Sequence, residues 1–288
     1  MELSAMGVAP SDLAVIVTGG ARGLGRAMVL GLAKAGVHVA VADLPSSQAA
    51  VRELIDLARA QQLQDRIHPI DCDVTRWEAC SAAVATAVER FGAVHGLVNN
   101  AGVGMQHIGN VLVGARFYEV DADTWRNAID VNFNGPFMMA KAIAPTLVAQ
   151  GWGRIVNIET SSYTMMMEGF SPYGPSKAAL EAATVIWAKD LAGTGVTVNA
   201  LAPGGPANTR MIPATEVADR STLIQPQVMI APIVWLMSPR SDGVTGRRII
   251  AKEWDAARLG ASLPRRSERR RDGEERERWI RATCTTRD

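Results

Sequence analysis

The chain has 288 residues, of which 48% are hydrophobic, and a formal net charge of +1 at pH 7. A chain of this length can bury a large core, and its near-neutral charge gives no indication of a nucleic-acid or membrane partner. Its three cysteines and four histidines lack the spacing of metal ligands, and the N-terminus lacks the pattern of a signal peptide. We therefore expect a cytoplasmic globular protein without a metal site.

A short apolar segment, residues 13–18, predicts a buried strand, and a glycine-rich turn follows it directly. Residues 26–35 then show a helical pattern, which Gly36 ends. A strand, a glycine turn and a helix in this order are typical of a dinucleotide site. Glycine lets the backbone approach the pyrophosphate, and the helix N-terminus offers free N–H groups. We assign cofactor contacts in this turn to Thr18, Gly19, Arg22, Gly23, Leu24 and Gly25.

The second predicted strand, residues 37–42, ends at an acid, Asp43, about 20 residues after the glycine turn. An acid at this place accepts hydrogen bonds from the adenosine ribose and repels a 2′-phosphate. Arg22 has the opposite effect, because a guanidinium in the turn can pair with that phosphate. On balance the sequence predicts NAD as the cofactor, with NADP as the less favoured alternative.

Strands and helices continue to alternate along the chain. Helices are predicted over residues 46–61, 75–91 and 123–150, and strands over 66–71, 93–99, 154–158 and 196–200. Thr75 is the predicted N-cap of its helix, with Glu78 as the partner in a capping box. This alternation predicts an α/β fold with one doubly wound parallel sheet. We expect a single domain over residues 1–260 and a charged tail over residues 261–288.

Two segments differ from the core in composition, and each can be a lid over substrate or a plain surface connection. They are residues 102–120 and 209–226, and the second favours the lid. Several apolar side chains could line an adaptable pocket, although each of them can equally belong to the core: Met105, Phe117, Met165, Met166, Met167, Phe170 and Met211. We infer an apolar, moderately bulky secondary alcohol or ketone as substrate.

Tyr173 and Lys177 begin the next predicted helix and lie on the same face, because they are four residues apart. The ammonium is expected to favour the phenolate and to lower the tyrosine pKa from its usual value of ~10. Such a tyrosine suits general acid–base catalysis. Thr160 and Ser161 precede it, and a hydroxyl there can bind a substrate oxygen that gains or loses charge.

Together these motifs resemble the short-chain dehydrogenase/reductase family over residues 13–246. The resemblance implies a Rossmann fold and identifies Tyr173 and Lys177 as the catalytic pair. It implies that Asn132 holds the water of a proton relay. It also implies further cofactor contacts, namely Asp73 and Val74 at the adenine, Asn100, Ala101 and Gly102 after the fourth strand, and Pro203 and Gly204 beside the nicotinamide. Lys177 is implied to hold the nicotinamide ribose, and Tyr173 and Thr209 are implied to contact the cofactor as well.

The sequence departs from the family pattern at three places. The family serine usually lies thirteen residues before the tyrosine, where this chain has Thr160, and Ser161 follows it. Either hydroxyl can serve, and we favour Ser161 slightly because it lacks the extra methyl group. The segment before Thr209 is one residue longer than usual, and Ala207 is expected to contact the carboxamide because Pro206 has no N–H. The last strand, within residues 244–254, lacks the usual Asp-Gly-Gly end.

The sequence thus predicts an NAD(P)-dependent short-chain alcohol dehydrogenase or carbonyl reductase. It would interconvert a secondary alcohol and a ketone by hydride transfer, with Tyr173 as general acid and base. The alternative is a non-catalytic dinucleotide-binding or sensing protein, because a fold alone does not establish activity. The family resemblance also implies a homo-oligomer, either a dimer or a tetramer.

Overall fold

The computed structural model describes residues 13–105, 114–213, 215, 217 and 219–255. The first compact unit of the chain spans Met1–Trp254. The predicted charged tail, residues 261–288, lies outside the described residues, as do residues 106–113 of the first candidate lid.

The sheet of the described residues has seven strands. They are β1 (Ala14–Thr18), β2 (His38–Asp43), β3 (Ile67–Asp71), β4 (Gly96–Asn99), β5 (Gly153–Ile158), β6 (Val196–Ala202) and β7 (Arg248–Ile250). All neighbours pair in parallel, in the order β3-β2-β1-β4-β5-β6-β7. The order reverses between β1 and β4, and ligands of such sheets bind beyond the carboxyl ends of the strands at this point.

Eight α-helices of the described residues flank this sheet. They are α1 (Gly23–Lys34), α2 (Gln48–Arg59), α3 (Trp77–Phe91), α4 (Ala122–Ile129), α5 (Gly135–Ala149), α6 (Ser162–Met165), α7 (Tyr173–Asp190) and α8 (Ile230–Leu236). The chain moves from β1 to β2 in one direction and from β4 to β5 in the other. Right-handed crossovers therefore place α1 and α5 on opposite faces. This arrangement confirms the predicted doubly wound α/β fold.

The central strands are buried on both faces, as is usual for parallel strands between two layers of helices. Every residue of β1, β4, β5 and β6 is buried. On one face α3 and α5 pack together, and Leu97 of β4 meets Ile143 and Leu147 of α5 in one apolar cluster. The loops that follow the strands at the carboxyl edge are therefore attached to a well-packed sheet.

Two predictions about helices need correction. Thr75 is not an N-cap, because its hydroxyl donates to the Asp73 carboxylate at 2.7 Å and α3 begins after Arg76. The predicted helix over residues 123–150 is divided by a π-helical turn, Asp130–Asn134, between α4 and α5. Such turns often occur at functional sites, and this one contains Asn132.

Candidate active site

The glycine turn after β1 interlocks with the loop after β4. Asn100 donates its side-chain amide to the carbonyl oxygens of Thr18 and Gly19, both at 2.9 Å. The Thr18 hydroxyl in turn accepts the N–H groups of Asn100 and Ala101 at 3.0 Å. A Cβ atom on Gly25 would lie 2.3 Å from the Gly19 carbonyl oxygen, so this position requires glycine. Two of the predicted cofactor segments are therefore joined into one structure.

The N-terminus of α1 is uncapped. Arg22 stands at the N-cap position with no side-chain cap, and the first turn carries no acidic residue. The backbone N–H groups of Gly23, Leu24 and Gly25 thus have no capping acceptor, and they suit a pyrophosphate. Thr209, from the loop after β6, closes this side, since a Cβ on Gly23 would be 3.1 Å from its methyl group.

Asp43 ends β2 beside the same turn. One of its carboxylate oxygens accepts the Ala21 N–H at 3.0 Å, and the other accepts the Leu44 N–H at 2.9 Å. Arg22 points its guanidinium at the Ser47 hydroxyl, 3.3 Å away. The structure therefore places both residues that bear on cofactor choice next to the glycine turn, with Asp43 the more firmly held.

The two residues predicted to contact the adenine, Asp73 and Val74, follow β3. Asp73 accepts the Thr75 N–H at 3.0 Å and so forms a tight turn. Val74 is buried and packs on α5, since a Cβ on Gly135 would lie 2.8 Å from its methyl carbon.

Gly102, Asn132 and Lys177 meet at the centre of the site. A Cβ on Gly102 would lie 3.2 Å from the Asn132 Oδ1 atom and 3.9 Å from the Lys177 Nζ atom. The Asn132 side chain is fully buried, accepts the Val103 N–H at 2.8 Å and donates to the Val103 carbonyl at 2.9 Å. It also donates to the Ser176 hydroxyl at 3.1 Å, which anchors it to α7.

Thr160, rather than Ser161, is the hydroxyl that contacts the tyrosine. The Thr160 side chain lies near enough to the Tyr173 hydroxyl to lower its pKa. Ser161 instead caps α6, where its Oγ atom accepts the Thr164 N–H at 3.0 Å and lies 2.7 Å from the Thr164 hydroxyl. The structure thus brings Thr160 to the tyrosine and occupies Ser161 in a helix cap.

The pKa of Tyr173 differs in direction from the expectation. Burial raises it to about 12, the hydrogen bond from Thr160 lowers it, and the charge of Glu159 raises it. Lys177 is buried, and burial lowers its own pKa while the charge of Glu159 raises it. Its ammonium donates to the Ile158 carbonyl at 2.9 Å. The lysine is therefore held by the end of β5 and does not offset the burial of the tyrosine.

Glu159 and Arg248 are parts of the site that the sequence did not point out. Glu159 is 3% exposed, and burial raises its pKa to about 7 while Lys177 lowers it. Arg248 of β7 donates to the Thr160 carbonyl, to the Ser162 hydroxyl and to the Glu181 carboxylate. The only sequence signal for Glu159 is an acid directly after a strand that is buried throughout, where a charge is costly.

The segment after β6 carries the remaining predicted contacts. Gly204 has a φ of +100°, and a Cβ there would lie 2.8 Å from the Lys252 side chain, so the turn requires glycine. Ala207 forms a bridge with Ile224. Arg220, which the sequence did not indicate, donates to the Asn208 side chain at 2.7 Å and to the Thr209 carbonyl at 2.8 Å. Arg220 therefore connects two parts of the chain after β6, its own segment within the second candidate lid and the residues around Thr209.

The seven predicted apolar side chains differ in their exposure. Met105, Met165 and Phe170 are buried, Met167 and Met211 are half-buried, and Met166 and Phe117 are 80% and 72% exposed. A cavity of about 240 Å³ at the turn after β6 is lined instead by Ser161, Ser162, Ala202, Gly204, Arg248, Ile250 and Glu253. None of the seven predicted apolar side chains lines this cavity.

Within the described residues, no helix is long and apolar enough to cross a membrane. In the same part of the chain no group of three or more His, Cys, Asp or Glu side chains is arranged to hold a metal ion.

Comparison with known proteins places this site in a family. A sequence profile of the short chain dehydrogenase family matches residues 13–218. The chain is 34% identical to nodulation protein G of Azospirillum brasilense, over 67% of this chain and 74% of that protein. It is 29% identical to a 3-oxoacyl-acyl-carrier-protein reductase of Thermotoga maritima, over 81% and 94%. Among solved structures, NAD⁺-bound xylitol dehydrogenase superposes with a TM-score of 0.71 at 25% identity, over 83% and 97%.

The chain therefore belongs to the short-chain dehydrogenase/reductase family. It is an NAD(P)-dependent oxidoreductase with a Rossmann-type nucleotide-binding fold.

Proposed function

We propose that this protein is an NAD-dependent alcohol dehydrogenase or carbonyl reductase that interconverts a secondary alcohol and a ketone. The observation that carries the proposal is that Lys177 is buried one helical turn after Tyr173 on α7 and, with Asn132, surrounds Gly102 of the loop after β4. Thr160, which lowers the pKa of Tyr173, offers a second hydroxyl group for the same substrate oxygen.

Tyr173 is the proton donor and acceptor in this proposal. Because burial raises its pKa to about 12, the phenol is protonated at neutral pH and is ready to give its proton to a ketone oxygen. Thr160 orients that oxygen, in preference to Ser161, whose hydroxyl is engaged in the cap of α6. Asn132 and Lys177, next to each other at Gly102, carry the proton relay to Tyr173.

The residues at the carboxyl edge fit a dinucleotide. The uncapped N-terminus of α1 would hold its pyrophosphate, the turn at Pro203 and Gly204 would hold its nicotinamide, and Asp43 would hold its adenosine ribose. The bound cofactor supplies the hydride that is exchanged with the substrate carbon. Asp43 supports NAD over NADP, because its fixed carboxylate repels a 2′-phosphate.

We infer an apolar substituent on the substrate. Phe117, Tyr118 and Met166 are exposed on two segments that are joined to each other. The Ala115 N–H donates to the Gly169 carbonyl at 3.0 Å, and Arg116 forms an ion pair with Glu168 at 3.0 Å. Exposed aromatic and methionine side chains on neighbouring loops favour binding of an apolar molecule.

We further propose a homo-oligomer, a cytoplasmic location, and one dehydrogenase domain over residues 1–260. Val185 and Ile186 of α7 and Phe137 of α5 are 40%, 56% and 48% exposed, which suits helices that pack against a second copy. Cys72 and Cys80 are free thiols, which is compatible with a reducing compartment.

The proposal is tested by titrating the protein with NADH and with NADPH while nicotinamide fluorescence is recorded. We expect NADH to bind more tightly, followed by turnover on a panel of secondary alcohols with NAD⁺. Tight NADH binding without any turnover would favour the non-catalytic sensing function. Binding of neither dinucleotide would overturn both functions.

A further inference from the structure

A second, larger cavity lies between the N-terminus of α1 and the segment after β6. Its volume is about 610 Å³, and its lining includes Gly23, Thr209 and Arg210. Gly23 begins α1, where no side chain caps the free N–H groups. Asp43, which is proposed to hold the adenosine ribose, is described in the structure and does not line this cavity. The cavity therefore lies at the proposed pyrophosphate rather than at the ribose.

The lining of this cavity is strongly basic. It contains four arginines, and the only acid in its described lining is Glu53 of α2. Glu53 is already paired with Arg26 through two hydrogen bonds of 2.6 and 2.9 Å. The other three, Arg22, Arg210 and Arg220, form no ion pair within the part of the chain that the structure describes. A cavity surrounded by uncompensated charges of one sign attracts a counter-ion, here an anion.

Two of these three arginines are bound to neutral groups of the protein. Arg22 donates to the Ser47 hydroxyl at 3.3 Å, on the side of the ribose. Arg220 donates to the carbonyl oxygens of Thr209 and Ile212 at 2.8 and 3.0 Å. Arg220 therefore spends its donors on the segment after β6 and holds that segment against the cavity.

Arg210 is the third arginine, and its guanidinium is uncommitted. Its side chain is exposed and has neither a hydrogen bond nor an ion pair to any described residue. It follows Thr209 directly, and the Thr209 methyl carbon would lie 3.1 Å from a Cβ atom on Gly23. The backbone that carries Arg210 is thus adjacent to the first residue of α1, so that the guanidinium and the helix N–H groups border the same space.

Resting on the proposed function, we propose that Arg210 is a further cofactor-binding residue, whose guanidinium pairs with the pyrophosphate of the dinucleotide. Guanidinium–phosphate pairs are charge-assisted and often bidentate, which makes them stronger than neutral hydrogen bonds. The pyrophosphate would be held by the N–H groups of α1 and by Arg210 from the segment after β6. Arg210 then contributes to the binding of any adenine nucleotide that carries a diphosphate.

The test is a set of binding titrations that need no turnover. NADH is followed by its nicotinamide fluorescence, and ADP-ribose, ADP and adenosine are followed by their displacement of NADH, in the wild type and in Arg210→Ala. We expect the variant to bind NADH, ADP-ribose and ADP about tenfold more weakly, because one charge-assisted pair is lost. Adenosine carries no phosphate and should keep its affinity. NADH binding should also depend less steeply on salt in the variant.

Two further variants separate the charge of Arg210 from its place in the segment. Arg210→Lys keeps the charge and should recover most of the lost affinity, whereas Arg240→Ala removes an exposed arginine elsewhere and should change nothing. If Arg210→Ala does not fold, as judged by circular dichroism, Arg210→Gln is titrated with the same expectations.

Three results would overturn the role of Arg210. The first is unchanged binding of all four ligands. The second is an equal loss for adenosine and ADP, which would show a disturbed segment rather than a lost phosphate contact. The third is a loss that is found with NADPH and not with NADH, which would show that Arg210 pairs with the 2′-phosphate.

The titrations also distinguish this proposal from the proposed reaction. If the wild type binds NADH but oxidises no secondary alcohol, the reaction fails, and a selective loss of diphosphate ligands in Arg210→Ala still supports the phosphate contact. If the wild type is active and Arg210→Ala binds every ligand as tightly, the reaction stands and the role of Arg210 is wrong. A wild type that binds no dinucleotide overturns both.

Discussion

Asp43 is held by two backbone N–H groups, one from the glycine turn and one from its own neighbour, Leu44. A carboxylate fixed in this way cannot turn away from a 2′-phosphate. We expect Asp43→Asn to raise NADPH affinity relative to NADH by about tenfold, or about 1.4 kcal/mol. Fluorescence titration with both dinucleotides measures this ratio, and Asp71→Asn, on the neighbouring β3, is the control. An unchanged ratio would assign cofactor choice to other residues.

The raised pKa of Glu159 leads to a prediction about the pH dependence of the protein's stability. Its pKa is raised by burial from 4.5 to about 7, so the folded protein binds a proton that the unfolded chain has released. Stability is therefore lost as pH rises through this window. We expect Glu159→Gln to match the wild type near about pH 5 and to be more stable by up to roughly 3 kcal/mol near about pH 8.

Urea unfolding at both pH values measures the difference, and comparison with the wild type cancels the contributions of the histidines. His38 and His68 have lowered pKa values from burial and change stability in the opposite direction over part of this range. A difference that stays constant with pH would show that Glu159 is already ionised in the folded protein at low pH.

Much of the candidate site was proposed from residue types and spacing. Tyr173, Lys177, Asp43 and the glycines are residue types that suit the predicted chemistry, at the spacing that it requires. The choice between Thr160 and Ser161 depends on which hydroxyl the backbone turns towards Tyr173, and α6 takes Ser161 for its cap. Glu159 was missed because its burial results from the packing of the folded chain, which no spacing along the chain shows.

At the scale of elements, the hydrogen bonds of one side chain, that of Arg220, hold the segment after β6 together. Arg220 donates to the Asn208 side chain and to the carbonyl oxygens of Thr209 and Ile212, at distances of 2.7 to 3.0 Å. Thr209 in turn lies against Gly23 at the N-terminus of α1. The arginine thus connects the candidate lid to the cofactor turn.

We expect Arg220→Ala to raise the KM for the dinucleotide by about tenfold, because three charge-assisted hydrogen bonds that order the segment are lost. The circular dichroism spectrum should not change, since the sheet is not involved. Arg240→Ala, which removes an exposed arginine outside this segment, is the control. An unaltered KM in Arg220→Ala would mean that the segment is ordered without the arginine.

The elements were easier to predict than their boundaries. The short apolar run of residues 13–18 identifies β1, as is typical of a strand buried on both faces. β5 and β6 are buried as well, although they contain polar residues, namely Arg154, Asn157, Thr197 and Asn199. The prediction of an N-cap at Thr75 was wrong, because the Thr75 hydroxyl donates to the Asp73 carboxylate. The π-helical turn at Asp130–Asn134 follows from tertiary contacts of Asn132 with Val103 and Ser176, which the local sequence does not contain.

At the scale of the molecule, the parallel sheet brings together residues that are far apart in sequence. The glycine turn, Asp43, Asn100, Thr160 and Gly204 all follow the carboxyl ends of strands. Their convergence was predictable from the alternation of strands and helices. The substrate could not be predicted in the same way. The cavity beside Gly204 is lined by other residues than the apolar side chains that the sequence suggested.

The exposed apolar residues of α7 allow the proposed homo-oligomer to be tested by mutation. We expect Ile186→Lys to reduce the molecular mass measured by light scattering to that of a smaller species, because a charge would be buried between two copies. Leu57→Lys, on the exposed side of α2, is the control and should leave the mass unchanged. A wild type that is already monomeric, or an unchanged mass in Ile186→Lys, would rule out this surface as the interface.

The measurement that tests the account most directly is turnover by Tyr173→Phe, compared with Tyr163→Phe, which removes an exposed hydroxyl on α6. If Tyr173 moves the proton, its variant should lose about 10²- to 10⁴-fold in kcat and bind NADH as tightly as the wild type. Tyr163→Phe should keep wild-type turnover. Full activity in Tyr173→Phe would contradict the assignment of the proton transfer, and with it the proposed mechanism.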